Sequence, residues 1–318
     1  MRIAIVWDWN TPTEDILNTW DGPLATYNEI AKATPTQLFT GSHNGFCSEF
    51  KKGNLLVTQT NSLVKEINQF KPDYIFCWGS FDRPWHQILQ EQYPEIRKGI
   101  RFSGGDKLHR ASEWFDTIFC ESQWDIDQFK GHGINHTRLA TACDTTVFKP
   151  LPYHSKVFQA IYPTSYCAHK RIQLFADTFG KEGVVCGRQN EVDLVTHCRA
   201  RGAHALGRVS SETLSHLYNM SRFAVCTASP YGGGERMVLE AMACNVAPVV
   251  MADHEKPQHY IKESGFGIIA EPTNLNRLKE LEAYAYEGNG RDYVLTHFTP
   301  QKFADAILEE ACKEPVRG

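Results

Sequence analysis

Short apolar runs of strand length alternate with stretches whose apolar residues recur every three or four positions, and this alternation continues along almost the whole chain. It constrains the fold more than any other feature. A run buried on both faces suits a parallel strand, and the intervening amphipathic stretches suit helices covering the two sides of the sheet. The pattern predicts an α/β chain. In the first half the expected strands are 2–7, 36–40, 54–58, 74–78, 100–103, 117–120 and 137–140, with helices at 24–33, 63–70, 84–92 and 123–130 and Ser62 placed to cap the second. Residues 144–155, with Pro150 and Pro152 close together, have no periodicity and read as a linker. The alternation then restarts, with strands expected at 157–161, 184–186, 203–206, 223–226, 247–251 and 267–269, and helices at 172–179, 191–199, 211–219 and 235–243. Two domains follow, 1–150 and 151–318, and the last helix can pack back on the first.

Size and charge agree with this division and narrow the partners. The chain has 318 residues, enough for two cores, with 42% hydrophobic and 22% charged residues. The formal net charge is −4, and neither half carries a basic surplus. Binding dominated by phosphate backbones or anionic lipid is thereby weakened, although a local basic groove remains compatible with it. Ten cysteines are scattered as singles, many inside apolar runs, and lack zinc-site spacing. They read as reduced, mostly buried side chains. The N-terminus passes directly into a strand, no apolar run reaches a membrane-spanning length, and a cytoplasmic location is the expectation.

Residues 221–253, SRFAVCTASPYGGGERMVLEAMACNVAPVVMAD, carry the clearest chemistry. An apolar strand runs into Gly232, Gly233 and Gly234 and then into a helix beginning near Glu235. Glycines allow close backbone approach, and the first turn of a helix offers unpaired N–H groups and a partial positive charge. A diphosphate suits that place, and an ordinary tight turn uses the same glycines.

This segment resembles the donor site of family 4 GT-B glycosyltransferases, in which a glycine-rich turn precedes a helix of the type LEAMACG-PVV; here residues 239–250 read LEAMACNVAPVV. The resemblance implies two facing Rossmann-like domains and assigns Glu240 to the ribose hydroxyls of a nucleotide. It extends to residues 206–230, where Gly207, Arg208 and Val209 match the loop that contacts the nucleobase. It also covers residues 111–150, ending on Asp144, Phe148 and Pro150, and residues 162–179, where Lys170 matches a diphosphate-binding lysine. Two positions depart from the family pattern. Gly232 replaces a glutamate that touches the donor sugar, with Glu235 three residues further on, and Ser165 replaces an arginine, leaving Arg171 and Arg208 as neighbouring cations.

In the first domain Gly22 occupies the place of the family's loop near the donor phosphates. Asp106 and His109, in IRFSGGDKLHR, are the polar candidates beside the acceptor. Trp7, Trp9, Trp20, Trp78, Trp85 and Trp114 are available to stack on sugars or bases, or to fill the core. The resemblance implies a retaining transferase using a nucleotide-sugar as co-substrate, UDP-linked, with an unusual sugar such as a pentose suggested by Gly232. It implies no cofactor and no required metal. A glycan, a small molecule and the hydroxymethylated DNA modified by bacteriophage enzymes are open as acceptors. A non-catalytic nucleotide-sugar-binding module and an epimerase or hydrolase on the same fold are the alternatives.

Overall fold

The computed structural model describes residues 1–7, 21–41, 47–81, 83–102, 110–152, 155–230, 233, 235–280 and 289–314. The chain divides into two compact units, Met1–Ala142 with Pro300–Gly318, and Cys143–Thr299. The first contains strands β1 (Ile3–Val6), β2 (Thr36–Gly41), β3 (Ser48–Lys52), β4 (Leu55–Thr60), β5 (Tyr74–Gly79), β6 (Arg97–Phe102), β7 (Thr117–Cys120) and β8 (Thr137–Leu139). Helices α1 (Asp21–Ala33), α2 (Leu63–Phe70), α3 (Pro84–Gln92) and α4 (Gln123–Gly131) lie between them. Strand order is β3-β4-β2-β1-β5-β6-β7-β8, and every pairing is parallel except β3 with β4. β3 is an addition to the expected strands. Its sequence SEFKK is largely exposed, so only its pairing with β4 identifies it.

Alternate residues of β1 enter opposite cores, as the two-residue period of a strand requires. Ile3, Ile5 and Trp7 pack with Leu24, Tyr27 and Ile30 of α1, whereas Ala4 and Val6 join Leu63, Ile67, Trp85, Leu89, Ile126 and Phe129 on the other face. Ser62 stands at the N-cap of α2, but its hydroxyl makes no capping bond.

The second unit contains β9 (Phe158–Pro163), β10 (Gly183–Cys186), β11 (His204–Leu206), β12 (Ser221–Cys226), β13 (Ala247–Met251) and β14 (Ile268–Ala270). Its helices are α5 (Ile172–Phe179), α6 (Val192–Ala200), α7 (Ser211–Asn219), α8 (Glu235–Ala243), α9 (Glu255–Ser264) and α10 (Gly290–His297). All its strands are parallel, in the order β11-β10-β9-β12-β13-β14.

The division falls at 142/143 rather than at 150, because the segment 145–151 is held by side chains of the second unit. Asn219 accepts from the Leu151 amide at 2.8 Å and donates to the Lys149 carbonyl at 2.9 Å. Arg291 donates to the carbonyls of Phe148 at 3.0 Å, Thr145 at 3.3 Å and Ala243 at 2.7 Å.

The last helix, α11 (Pro300–Cys312), belongs to the first unit. Phe303, Ala304 and Ile307 enter that core, and Glu310, almost fully buried, receives Thr117 at 2.9 Å, Lys313 at 2.6 Å and Arg138 at 3.3 Å. Burial pushes the Glu310 carboxyl upward, but these donors outweigh it and hold the group below its usual range.

Among the described residues, no helix is long and apolar enough to cross a membrane. Among the described residues no two cysteines form a disulfide; seven are buried, Cys167 is intermediate, and Cys47 and Cys312 are exposed.

Candidate functional site

In an open parallel sheet, the loops at the carboxyl ends of two neighbouring strands diverge where the strand order reverses, and ligands bind in the resulting crevice. In the second unit that point lies between β9 and β12. The loop after β9 carries Ser165 and Lys170. The loop after β12 leads through Gly233 to α8 and Glu240. The local order of the sequence thus delivers both loops to one crevice.

The two loops are joined by hydrogen bonds. The Ser229 amide donates to the His169 carbonyl at 2.8 Å, and the Thr227 hydroxyl donates to the carbonyls of Lys170 at 3.0 Å and Arg171 at 3.1 Å. The Tyr162 hydroxyl also reaches the Lys170 carbonyl, at 3.1 Å. Lys170 is half-buried. Burial, and then the Lys170 charge, push the His169 imidazole below its ordinary range.

Gly233 has φ +65°, a backbone that glycine adopts without strain, just before the helix whose first turn offers unpaired N–H groups. Glu240, in the middle of α8, is buried, and its Oε2 accepts from the Tyr218 hydroxyl at 3.0 Å. Arg236, one turn earlier, places Nε 3.7 Å from Oε1. Burial and the Glu240 charge hold the Tyr218 phenol far above its usual range, so it stays protonated and donates to the carboxylate. Phe148 meets the Tyr218 ring edge-on with centroids 6.0 Å apart, which brings the junction segment up to Glu240.

A third loop lies beside the first two. Gly187, after β10, has φ +155°, and a Cβ there would meet the Thr164 carbonyl oxygen at 2.0 Å. This close approach lets the Gly187 amide donate to the Gly207 carbonyl at 3.1 Å and the Tyr166 amide to the Arg188 carbonyl at 2.8 Å. Ser165, Gly207, Arg208 and Val209 therefore lie on adjoining loops of one sheet edge.

Arg171 is used differently from an additional phosphate cation. Its guanidinium is engaged by Asp253 through Nη1 at 2.6 Å and Nη2 at 2.9 Å, and by the Thr227 carbonyl through Nε at 2.6 Å. Nη2 also donates to the Ala228 carbonyl. His254, next to Asp253, is fully buried, and neither ring nitrogen has a hydrogen-bond partner. Burial, then the charges of Lys170, Lys256 and Arg171, push its pKa down to about 4. Tyr218, Asp253, His254 and Arg291 were not anticipated as site residues. Only Asp253 and His254 had a signal, their position directly after a predicted buried strand.

Gly22 lies in the first turn of α1 and Glu235 opens α8, with no description of the Glu235 side chain. Asp106, His109, Gly232, Gly234, Trp9 and Trp20 lie outside the described residues. Trp7, Trp78 and Trp85 are core residues, and Trp114 packs against the core, so these four are absorbed by the fold. Among the described residues, no three His, Cys, Asp or Glu side chains gather into a group able to hold a metal ion.

An α/β chain of two parallel-sheet units with loops gathered at such an edge has the GT-B class of fold, and its solved neighbours include glycosyltransferases. Residues 182–293 match the family described as glycosyl transferases group 1. Sucrose-phosphate synthase from Thermosynechococcus elongatus superposes with a TM-score of 0.73 at 12% identity, covering 98% of each chain. A glycosyltransferase from Rickettsia africae gives 0.71 at 12% identity, covering 98% of this chain and 97% of that one. The Anabaena protein HepE in complex with UDP gives 0.70 at 14% identity, covering 98% of this chain and 99% of that one. No curated protein matches the sequence.

Proposed function

We propose that this protein transfers a sugar from a nucleoside diphosphate donor, UDP-linked in the first instance, to a hydroxyl acceptor with retention of anomeric configuration. The observation that carries the reading is the joined pair of loops at the switch point of the second sheet. There Lys170 lies on one loop, and the other leads through Gly233 into the helix that carries Glu240. Group 1 glycosyltransferase similarity over 182–293 covers β12, the glycine turn, α8 and β13. The complexes of HepE with UDP and with UDP-glucose support the choice of donor class.

In this reading the N–H groups at the start of α8 and the Lys170 ammonium receive the diphosphate, and Glu240 accepts hydrogen bonds from the ribose hydroxyls. The acceptor oxygen bonds to the anomeric carbon as the bond from that carbon to the phosphate oxygen breaks. The acceptor proton passes to the departing phosphate. Charge builds on the leaving diphosphate, so fixed positive groups there lower the barrier most. No metal or resident cofactor is required. The sugar, hexose or pentose, is open, and Gly232 places pentoses among the donors to be tried. Glycans, small molecules and hydroxymethylated DNA are the acceptors to be tried.

The test is a thermal-shift screen against nucleoside diphosphates and their sugars, since a ligand of the native state raises its apparent stability. A shift with one nucleotide, abolished in Lys170→Ala and Glu240→Ala, supports the site. Unchanged affinity in both variants refutes it, and donor binding without transfer to any hydroxyl acceptor leaves a binding module.

A further inference from the structure

Arg171 combines three features that a surface arginine has no reason to combine. Its backbone is left-handed, at φ +48°. Its guanidinium is forked onto both carboxylate oxygens of Asp253, 82 residues away, at the carboxyl end of β13. Its remaining N–H groups are directed to the carbonyls of Thr227 and Ala228, the first residues after β12. One side chain therefore ties together the start of α5, the loop that leads to the glycine turn, and the loop after β13.

We propose that Arg171 is a positioning residue for the donor site, with Asp253 as its anchor, holding the β12 loop in the arrangement that receives the diphosphate. The proposal rests on the functional reading above. The planar fork fixes both distance and direction, which a lysine at the same place does not. Thr227 reinforces the arrangement by donating to the Lys170 and Arg171 carbonyls, and Ser229 by donating to His169. Lys170 follows the same chain, one residue before Arg171. Losing the fork therefore leaves only these backbone-directed bonds between the loop of the cation and the loop that leads to the glycine turn, without removing either group.

The test uses variants that separate this role from general stability. In Arg171→Gly the left-handed backbone is accepted without strain, so only the side-chain links are lost. Asp253→Asn keeps the anchor's shape and removes its charge. Each is expected to speed hydrogen exchange at the Ser229 amide, without ligand, by about tenfold or more, with exchange in β13 unchanged. Each is also expected to raise the dissociation constant of UDP about tenfold, with Arg171→Lys recovering only part of the loss. Unchanged exchange at Ser229 in Arg171→Gly overturns the proposal, as does a rise spread evenly over the second unit or faster exchange with wild-type UDP affinity. Should the wild-type protein not bind UDP, the functional reading fails, whereas the exchange measurement still decides whether Arg171 holds these loops.

Discussion

The carboxyl edges of the two sheets use the same topology for different ends. At the switch point of the first sheet, between β1 and β5, the described residues of the edge are large side chains. Trp7 stacks on Trp78 with centroids 5.7 Å apart, Arg101 lies 3.9 Å from the Trp78 ring centroid, and Tyr27 meets Trp7 edge-on. Arg101 is paired with Glu121 and donates to Thr141 at 3.2 Å. At the switch point of the second sheet the described edge is made of backbone and hydrogen bonds between loops, with Lys170 and the Arg171–Asp253 pair on it. A diphosphate is recognised by N–H groups and fixed cations, which bulky rings would cover. The contrast teaches that the described part of the first edge has the chemistry of a core, whereas the second is the edge that the proposed reading assigns to an anion.

The largest expected effect lies on the second edge. Lys170→Ala should lower kcat/KM for the nucleotide-sugar by about a hundredfold or more, the scale of losing one group that stabilises developing charge. Steady-state kinetics at varied donor concentration checks it, and a loss below threefold would break the contrast.

Next comes the first edge, where Arg101→Met leaves Glu121 with its buried partner removed. Stability should fall by about 3 kcal/mol with nucleotide affinity unchanged. Denaturant unfolding and UDP titration on the same preparation measure both; a selective loss of UDP binding would show that this edge is more than a core.

His254 gives a pH effect of somewhat smaller size. Its pKa falls from 6.5 in the unfolded chain to about 4 in the fold. Its contribution is therefore complete above pH 6.5 and declines as the pH falls from 6.5 towards 4, because the unfolded state binds the proton first. The decline attributable to this group is about 2 to 3 kcal/mol. His254→Gln should flatten the stability profile in that window, and an identical slope in both proteins would remove His254 as the cause.

The smallest change is expected for Glu240→Gln, which keeps an acceptor for Tyr218 but loses the charge offered to the ribose. UDP affinity should fall about tenfold with little change in melting temperature. Calorimetric titration distinguishes this from a fall in stability alone, which would make Glu240 a partner of Tyr218 and nothing more.

Much of the fold was legible because strand and helix periods are local. The runs 117–120, 172–179, 211–219 and 235–243 coincide with observed elements to the residue. β3 was missed because exposed polar residues on an edge strand carry no apolar period. The segment 144–155 read as a linker because the partners of its residues Phe148 and Leu151, Arg291 and Asn219, lie about 140 and 70 residues away in sequence. Within the site, Lys170, Gly233 and Glu240 could be named from the glycine turn and its resemblance to a known donor site. Arg171 was named too, but its use could not be read, because a guanidinium beside a lysine has the same sequence signature whether it faces a phosphate or a distant aspartate.

By itself the sequence determined the α/β alternation, a division into two units with its boundary eight residues late, and the strand and helix that flank the glycine run of the candidate anion site. These follow from burial periods and backbone preferences that act over one or two turns of chain. Only the tertiary structure decided that Arg171 is forked onto Asp253, that Phe148 and Tyr218 back Glu240, and that α11 is held in the first unit through Glu310. Each of these depends on which distant groups the fold brings together: Glu240 and Glu310 lie in a low-dielectric interior, where an unmatched charge or hydrogen bond is costly, whereas the partly exposed Arg171–Asp253 fork is set by its two-point geometry.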